Sequence, residues 1–370
     1  MTSLLLPILA AQVIAIRAGR VLDPATGSAL LNQVILVQQG RIGAIGPNVA
    51  IPRGSTIYDL SGATIVPGLI DGHVHLGIGG PVRENAMADL RAGFTTVIDL
   101  GARTHRLLRI RDSINAGEIP GPRVFAAGIW VGRKNGVCEF GGIGIPGGAE
   151  GFRQRVRDNI QAGADVIKVC VTGWPQDAYE HPDAYELPDS TLRAVVEAAH
   201  SGRRKVVAHD LSRGGVRAGL AAGIDGLAHA AFLDSATARQ LRARSVFMIP
   251  TLASLTAGDT SAASRRLARS VELAHQQGVR LVFGTDGGVL PHGQSAREFV
   301  AMYEAGVPLA ELLRAATTNA ARAFGLDSLG QIAQGMVADL VALETDPRED
   351  VTAYQKVKFV MSRGQVVVRP

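Results

Sequence analysis

The segment GLIDGHVH (68–75) carries two histidines one residue apart, directly after an apolar run. Alternate side chains of a β-strand point to the same face, so Asp71, His73 and His75 share one face at the end of a strand. Two imidazoles at this spacing can converge on a single metal ion. We interpret this segment as half of a metal site, whose remaining ligands must come from elsewhere in the chain.

Four more polar residues stand within or directly after short apolar segments. They are Lys168 within VIKVCV, His209 after VVA, His229 after GLA and Asp286 after FGT. A lysine is almost never fully buried unless its charge is paired or removed, so something must neutralise Lys168. Each residue alone has an ordinary explanation, such as a core histidine bonded to the backbone or an aspartate that caps a helix. Together, at the strand ends of one predicted sheet, they favour a metal site.

The elements that position these residues follow from the hydrophobic pattern. After Pro67, short apolar strands alternate with amphipathic segments, which is typical of βα units around a parallel sheet. Strands are predicted at 63–70, 95–100, 124–127, 166–171, 205–208, 226–228, 246–250 and 281–284. Eight such units fit a TIM (β/α)8 barrel of roughly 250 residues, in which functional side chains lie at the C-terminal strand ends. The last helix is predicted over 309–324, with Gly325 as its stop.

The two ends of the chain have a different pattern. Residues 12–66 and 328–370 are short strands separated by glycine and proline, with no helical period. The simplest architecture joins them into one small β-sandwich domain, discontinuous in sequence, beside a metal-binding barrel domain of residues 67–327. The predicted fold class is therefore α/β.

Composition excludes several classes of protein. With 46% apolar residues, 19% charged residues and 44 glycines, the chain is typical of a compact enzyme rather than of a disordered protein. The net charge of +5 comes mostly from scattered arginines, and no segment gathers the basic residues of a nucleic-acid arm. No segment reaches the roughly 18 apolar residues of a membrane span. We expect neither a nucleic-acid partner nor a membrane partner.

The cysteines and the N-terminus bear on the cellular compartment. Cys138 and Cys170 are the only cysteines, which excludes a disulfide framework, and Cys170 is expected to be a small buried side chain within its strand. Residues 4–11 are largely apolar, but no basic residue precedes them. We expect a cytoplasmic protein, and export is the alternative if residues 1–12 are the remnant of a secretory signal.

Several motifs occur in a fixed order along the chain: PGLIDGHVHL (67–76), AGFTTV (92–97), AGADVIKV (162–169), AGIDGLAHA (222–230), GTDGG (284–288) and GMVADLVAL (335–343). This ordered set resembles the amidohydrolase superfamily, most closely its imidazolonepropionase-like and Xaa-Pro-dipeptidase-like branch. The resemblance covers nearly the whole chain.

The resemblance implies a cofactor of two divalent metal ions, with zinc the expected metal. His73, His75 and Asp286 would hold one ion, and His209 and His229 would hold the other. Lys168, carboxylated by CO2, would bridge the two ions. A carbamate would also resolve the burial of Lys168, because it replaces a buried cation with an anionic ligand.

Water held between two such ions loses a proton near neutral pH and can attack a carbonyl carbon. Asp286 is then the expected catalytic base, which later protonates the leaving amine, and His229 is a candidate for assisting the oxyanion. We expect a binuclear metal-dependent amidohydrolase that cleaves an amide bond in a small molecule, such as a dipeptide or an N-acyl amino acid.

Alternative functions remain open at this stage. The same site suits an esterase, a lactonase, a phosphotriesterase or an imidazolone-type cyclic amidine hydrolase. A non-catalytic scaffold on the same fold is the alternative of another class, although a scaffold has no need of a buried lysine that faces four histidines. Candidate substrate contacts are His292, Arg133 and Tyr179, and a homo-oligomer is compatible with the sequence.

Overall fold

The structure is a computed structural model and describes residues 13–256 and 262–370. The strands in this part of the chain are β1 (Ile14–Leu22), β2 (Ala29–Gln38), β3 (Arg41–Gly46), β4 (Thr56–Pro67), β5 (Leu69–Val74), β6 (Phe94–Asp99), β7 (Arg123–Ala126), β8 (Val166–Cys170), β9 (Lys205–Asp210), β10 (Gly226–His229), β11 (Phe247–Ile249), β12 (Leu340–Leu343), β13 (Val357–Ser362) and β14 (Gln365–Val368).

The helices are α1 (Val82–Arg91), α2 (Arg106–Asn115), α3 (Ala149–Gln161), α4 (Pro175–Glu180), α5 (Asp189–Ser201), α6 (Arg213–Ala222), α7 (Ser235–Ala243), α8 (Leu252–Thr256), α9 (Ala262–Gln276), α10 (Ala296–Glu304), α11 (Leu309–Arg314) and α12 (Ala320–Phe324). A π-helical turn, Ala315–Asn319, joins α11 to α12, and a 3-10 turn, Val351–Gln355, precedes β13. Across the two described ranges, no helix is both long and apolar enough to cross a bilayer.

One mixed sheet contains strands from both ends of the chain. Its seven strands lie in the order β14-β13-β12-β4-β1-β2-β3. β1 pairs parallel with β4 and antiparallel with β2, while β12 pairs antiparallel with β4. Alternate residues such as Ile16, Ile65 and Phe359 pack into a separate apolar core. The sheet therefore links residues 14–67 to residues 340–368. The exact domain boundaries stay predictions.

The parallel strands carry the polar residues of interest. One sheet has the order β5-β6-β7, and a second has the order β11-β10-β9-β8, with helices between successive strands. Single parallel bridges extend this pairing, from Val131 to Val169, from Met248 to Leu281 and from Val74 to Gly287. The predicted α/β class is confirmed, since strands and helices alternate along the chain and the strands are parallel. The C-terminal ends of these strands face the same side.

The strand predicted over 63–70 differs from the structure for a physical reason. That strand is wrong as a single element, because the chain leaves one sheet for another at Gly68. The amide of Gly68 donates to Asp339, but the next amide, of Leu69, donates to Gly93. A Cβ at residue 68 would lie 2.1 Å from the Thr95 hydroxyl oxygen, so only glycine fits this crossing.

The predicted helix over 309–324 is confirmed as one helical run. It contains the π-helical turn and ends at Gly325, whose φ of 71° is the left-handed conformation that favours glycine at a helix C-terminus. The strand predicted over 281–284 is reduced to an isolated bridge at Leu281, and the next bridge of this segment is at Gly287.

Candidate metal centre

Four of the predicted ligands converge at the C-terminal end of β5. His73 Nε2 lies 3.3 Å from His75 Nε2, 3.2 Å from Lys168 Nζ and 3.3 Å from Asp286 Oδ1. His75 Nε2 lies 3.2 Å from the same carboxylate oxygen. The side chains of His73 and Lys168 are almost completely buried. The structure thus brings together residues that lie up to 213 positions apart, from His73 to Asp286.

The other two predicted ligands lie beside this group. The His229 ring is 5.4 Å from the His73 ring and 4.6 Å from the His209 ring, between centroids. Thr251 Oγ1 is 2.6 Å from Nδ1 of His229, and the Gly173 carbonyl oxygen is 3.4 Å from Nε2 of His209. These contacts occupy one nitrogen of each ring and leave His229 Nε2 and His209 Nδ1 for a ligand.

The orientation of His75 is set by the segment after β6. The carbonyl oxygen of Gly101 lies 3.0 Å from His75 Nδ1, so Nδ1–H donates and Nε2 keeps its lone pair. Asp99 fixes this segment, because its carboxylate accepts from the amides of Gly101 and Leu76. A metal-binding histidine is commonly held in this way by its second nitrogen.

The donor set fits a cation better than it fits a hydrogen-bonded cluster. His73 Nδ1 is buried and has no hydrogen-bond partner in the described parts of the chain. Two imidazole lone pairs 3.3 Å apart repel each other unless a proton or a cation lies between them. The nearest donor atoms of His73, His75 and Asp286 all lie within 4.8 Å of one another, which suits one metal ion.

Burial keeps the histidines in the form that binds metals. It lowers the pKa of His73 and His229 well below the usual range and that of His209 to about 4; Lys168 and the neighbouring histidines lower these values further, while Asp286 opposes the shift. Burial also lowers the pKa of Lys168 to about 7. Burial alone would raise the pKa of Asp286, but a positive charge on the side of His73 and His75, such as a bound cation would provide, holds it well below its usual range. Neutral imidazoles and an ionised carboxylate are metal-ligand forms.

Asp71 has a different role from the histidines on its strand. Its carboxylate accepts from the Thr285 hydroxyl at 2.7 Å and from the amides of Thr285 and His73. Burial raises the pKa of Asp71 to about 7 despite these hydrogen bonds. Asp71 therefore ties β5 to the segment that carries Asp286 and does not join the donor cluster.

Two of the clustered residues have an unusual backbone. His229 has a φ of 80° and Asp286 a φ of 55°, both in the left-handed region that side chains disfavour. Such conformations persist only where the surroundings impose them, and they concentrate at functional sites. Here the positive φ angles end the extended strand conformation, so that the side chains of His229 and Asp286 point toward the cluster.

His292 lies behind the cluster. Its Nδ1 is 2.8 Å from Asp89 Oδ2, and its Nε2 is 3.3 Å from the carbonyl oxygen of His75. The Gly293 amide donates to the same Asp89 carboxylate. The structure therefore places His292 where it supports the backbone of a proposed ligand, and its predicted substrate contact stays a prediction.

The other two candidate substrate contacts lie on surface segments. Arg133 Nε is 4.0 Å from Glu186, and one of its guanidinium nitrogens donates to Asn135. Tyr179 is half-exposed on α4, where the Arg266 guanidinium lies 5.8 Å from its ring centroid. Neither side chain lines the cavity over the donor cluster.

That cavity is small and has apolar walls. Its volume is about 80 Å³, and Ile78, Trp130, Phe140, Trp174 and Val289 line it together with the polar cluster. The Trp130 ring lies 5.4 Å from the His75 ring and 4.8 Å from the Phe140 ring. Aromatic side chains from the segments after β7 and β8 therefore form part of the wall over the cluster.

A disulfide bond closes the wall of this cavity. Cys138 and Cys170 are bonded to each other, with a Cα–Cα distance of 6.2 Å. The sequence analysis did not predict this single bond; Cys170 is fully buried as expected, but as half of a disulfide. The cysteines are 32 positions apart, and only the folding of the segment after β7 over β8 brings them together.

Several supporting residues were missed by the sequence analysis. Thr251 directly follows the strand predicted over 246–250 and could have been found by the rule that selected the other strand-end residues. Trp130, one of only two tryptophans, lies in a glycine-rich segment that offered no signal for its position. Asp89 lies on α1, and nothing in the sequence connects it with His292.

The α/β fold and the polar cluster at its strand ends are features of a hydrolase. The chain belongs to the amidohydrolase family, whose family model matches residues 64–367. It is accordingly a hydrolase that acts on amide bonds.

Known relatives extend over nearly the whole chain. An ochratoxinase of Aspergillus niger is 28% identical over 413 residues, covering 95% of this chain and 85% of the relative. The crystal structure of a Xaa-Pro dipeptidase with bound methionine in its active site has a TM-score of 0.89 at 26% identity, covering 96% of this chain and 100% of that one. A putative prolidase from Bifidobacterium longum has a TM-score of 0.87 at 30% identity, covering 97% and 95%.

Proposed function

We propose that this protein is a binuclear metal-dependent amidohydrolase that cleaves an amide bond in a small molecule, such as a dipeptide or an N-acyl amino acid. The observation that carries the proposal is the convergence of His73 Nε2, His75 Nε2, Lys168 Nζ and Asp286 Oδ1 at separations of 3.2 to 3.3 Å. The names of the similar dipeptidase and prolidase structures support the substrate class.

The described side chains suggest which residue would hold which ion. His73, His75 and Asp286 form the tightest group of donors. His209 and His229 lie together at its edge, each with one ring nitrogen free. Lys168 lies against His73 in a buried position, so a carboxylated Lys168 would supply an anionic oxygen to both groups.

Divalent ions bound there would polarise a substrate carbonyl and lower the pKa of a water molecule. Asp286 directs Oδ1 at His73 and His75, which leaves Oδ2 to accept a proton from the attacking water. The same carboxyl group then returns the proton to the leaving amine nitrogen. His229, oriented by Thr251, is the candidate for assisting the oxyanion.

The strand pairing supports a closed barrel around this site. The three-stranded and four-stranded parallel sheets are connected by the bridge from Val131 to Val169. On the other side, the segment from Leu281 to Gly287 contacts both β11 and β5. We propose that these contacts complete a (β/α)8 barrel, and that the continuous seven-stranded sheet forms the flanking domain predicted as a β-sandwich.

The disulfide bears on the compartment. Structural disulfides persist in oxidising compartments and are rare in the cytosol. The bond between Cys138 and Cys170 therefore favours the exported alternative over the cytoplasmic one. The signal proposed for residues 1–12 lies outside the described residues. Fractionation of the native host with an antibody against this protein distinguishes the two locations.

The function is tested by metal analysis together with a substrate panel. Protein purified without chelator should contain about two divalent ions per chain, since six donor residues exceed the needs of one tetrahedral zinc ion. It should hydrolyse dipeptides or N-acyl amino acids, and prior removal of metal should abolish this rate. A metal content near zero that zinc or manganese does not raise would favour the scaffold, and hydrolysis of only lactones or phosphotriesters would favour those alternatives.

A further inference from the structure

A second and larger cavity lies beside the candidate metal centre. Its volume is about 810 Å³, within the usual range of ligand pockets. Residues 77–83, which follow β5, form one side, and residues 101–104, which follow β6, form another. Trp130 contributes part of the remaining wall.

This cavity adjoins the small one over the donor cluster. Ile78 and Trp130 line both cavities. The carbonyl oxygen of Gly101, which lines the larger cavity, lies 3.0 Å from His75 Nδ1. A Cβ at residue 101 would lie 2.2 Å from Trp130 Nε1, so glycine is required where this backbone passes the indole. The larger cavity therefore begins one side chain away from a proposed metal ligand.

The volumes of the two cavities indicate which part of the substrate each can hold. The small cavity, about 80 Å³, has room for a scissile amide and its immediate substituents. A dipeptide or an N-acyl amino acid needs more space than this. The adjoining cavity is large enough to take the remainder.

The charge of the larger cavity is all of one sign. Arg83, Arg103 and Arg106 line it, and none of its lining residues is acidic. All three side chains are exposed, and within residues 13–256 and 262–370 none has a carboxylate partner among the ion pairs. The rest of the lining consists mainly of glycine and apolar residues. The cavity thus has mainly apolar walls, with three guanidinium groups at its edge that have no carboxylate partner.

We propose that this cavity binds the carboxylate-bearing part of the substrate, so that the enzyme selects amides with a free carboxylate over neutral amides. Guanidinium groups bind carboxylates through paired, charge-assisted hydrogen bonds. The small cavity has no arginine among its lining residues, and the proposed metal ions there would face the scissile carbonyl, so a substrate carboxylate has its best side-chain partners in the larger cavity. The inference rests on the proposed function and specifies its substrate class.

The test compares three probes that share one amide scaffold. N-acetyl-L-phenylalanine has its carboxylate on the amine side of the scissile bond, and N-succinyl-L-phenylalanine amide has it on the acyl side. N-acetyl-L-phenylalanine amide is the neutral control. Binding is measured by Trp130 fluorescence in a Trp174→Phe background, where Trp130 is the one tryptophan left, and hydrolysis is measured in parallel with the parent protein.

We expect at least one acidic probe to bind about tenfold more tightly than the neutral amide, as one or two charge-assisted hydrogen bonds provide. The double variant Arg103→Ala/Arg106→Ala should remove this preference through Kd and KM, with kcat little changed. Arg109→Ala is the matched control, because Arg109 is exposed on the same helix α2 but does not line the cavity.

The outcomes separate the cavity from the activity. Equal binding of all three probes, no detectable binding of either acid, or an unchanged preference in the double variant would overturn the assignment. If the amides are hydrolysed without any preference for acids, the proposed function holds and the cavity assignment fails. If acids bind in an arginine-dependent way but no amide is cleaved, the cavity assignment holds and the proposed function fails for these substrates.

Discussion

Cys138, in the segment after β7, is disulfide-bonded to Cys170, which is the last residue of β8 and lies two positions after Lys168. The bond joins the segment that carries Trp130 and Phe140 to the strand that carries a proposed metal ligand. It therefore couples the wall of the cavity to the donor cluster beneath it.

We expect the variant Cys138→Ser/Cys170→Ser to be less stable than the parent. A closed loop with a sequence separation of 32 accounts for roughly 3–4 kcal/mol in the chain-entropy estimate. Urea denaturation of both proteins measures the difference, and a thiol assay of unreduced, unfolded parent should find no free thiol. Two free thiols per chain would show that the bond does not form.

We expect Asp286→Asn to retain the fold and much of the metal but to lose turnover. The amide oxygen can still face His73 and His75, but it cannot accept the proton of the attacking water. The loss of general-base catalysis should lower kcat by roughly 10²- to 10⁴-fold. Asp327→Asn, at an exposed position, is the control and should match the parent. A kcat within a few-fold of the parent in Asp286→Asn would exclude this residue as the base.

We expect Lys168→Ala to lose metal as well as activity. If Lys168 is carboxylated, its removal leaves two cations without an anionic bridge, so the second ion should bind poorly. Metal content per chain should fall toward one, and activity should drop by several orders of magnitude. Acetate, propionate or bicarbonate could occupy the space and restore part of both.

Native mass spectrometry of the parent provides an independent measurement, because carboxylation adds the mass of CO2 to the chain. Lys205→Ala, at the exposed start of the neighbouring strand β9, is the control. Full metal occupancy and normal turnover in Lys168→Ala would rule out the bridging role and indicate a mononuclear site.

We expect Glu298 to make stability depend on pH. Its carboxylate accepts from the amides of Leu252 and Ala253, yet burial raises its pKa from the usual 4.5 to about 8. Between about pH 4.5 and pH 8, the carboxyl group of Glu298 is therefore protonated in the folded state and ionised in the unfolded state. The resulting stabilisation is complete below about pH 4.5 and is lost as the pH rises to about 8.

Urea midpoints of the parent and of Glu298→Gln, measured from pH 5 to pH 8, test this sign. The advantage of the parent over the variant should shrink as the pH rises, while Glu304→Gln, exposed on the same helix α10, should show a constant difference. An advantage that grows with pH would mean that Glu298 is ionised in the folded protein.

The sequence by itself determined the local arrangement of the site. The two-residue period of a β-strand places His73 and His75 on one face, and the apolar residues around Lys168 require its burial. The repeated alternation of strands and helices indicated parallel sheets, and with them a common edge for residues at strand ends. These inferences hold because strand periodicity and hydrophobic burial act over a few residues and are visible in the order of the chain.

Only the tertiary structure decided which residues meet across long separations. Asp71 bonds to Thr285 rather than joining the donors, His292 faces Asp89, and Cys138 reaches Cys170. The three arginines beside the metal centre come from two different connecting segments. The path of such a segment depends on all its contacts with distant parts of the chain. These contacts leave no periodic pattern or spacing in the sequence from which they could be predicted.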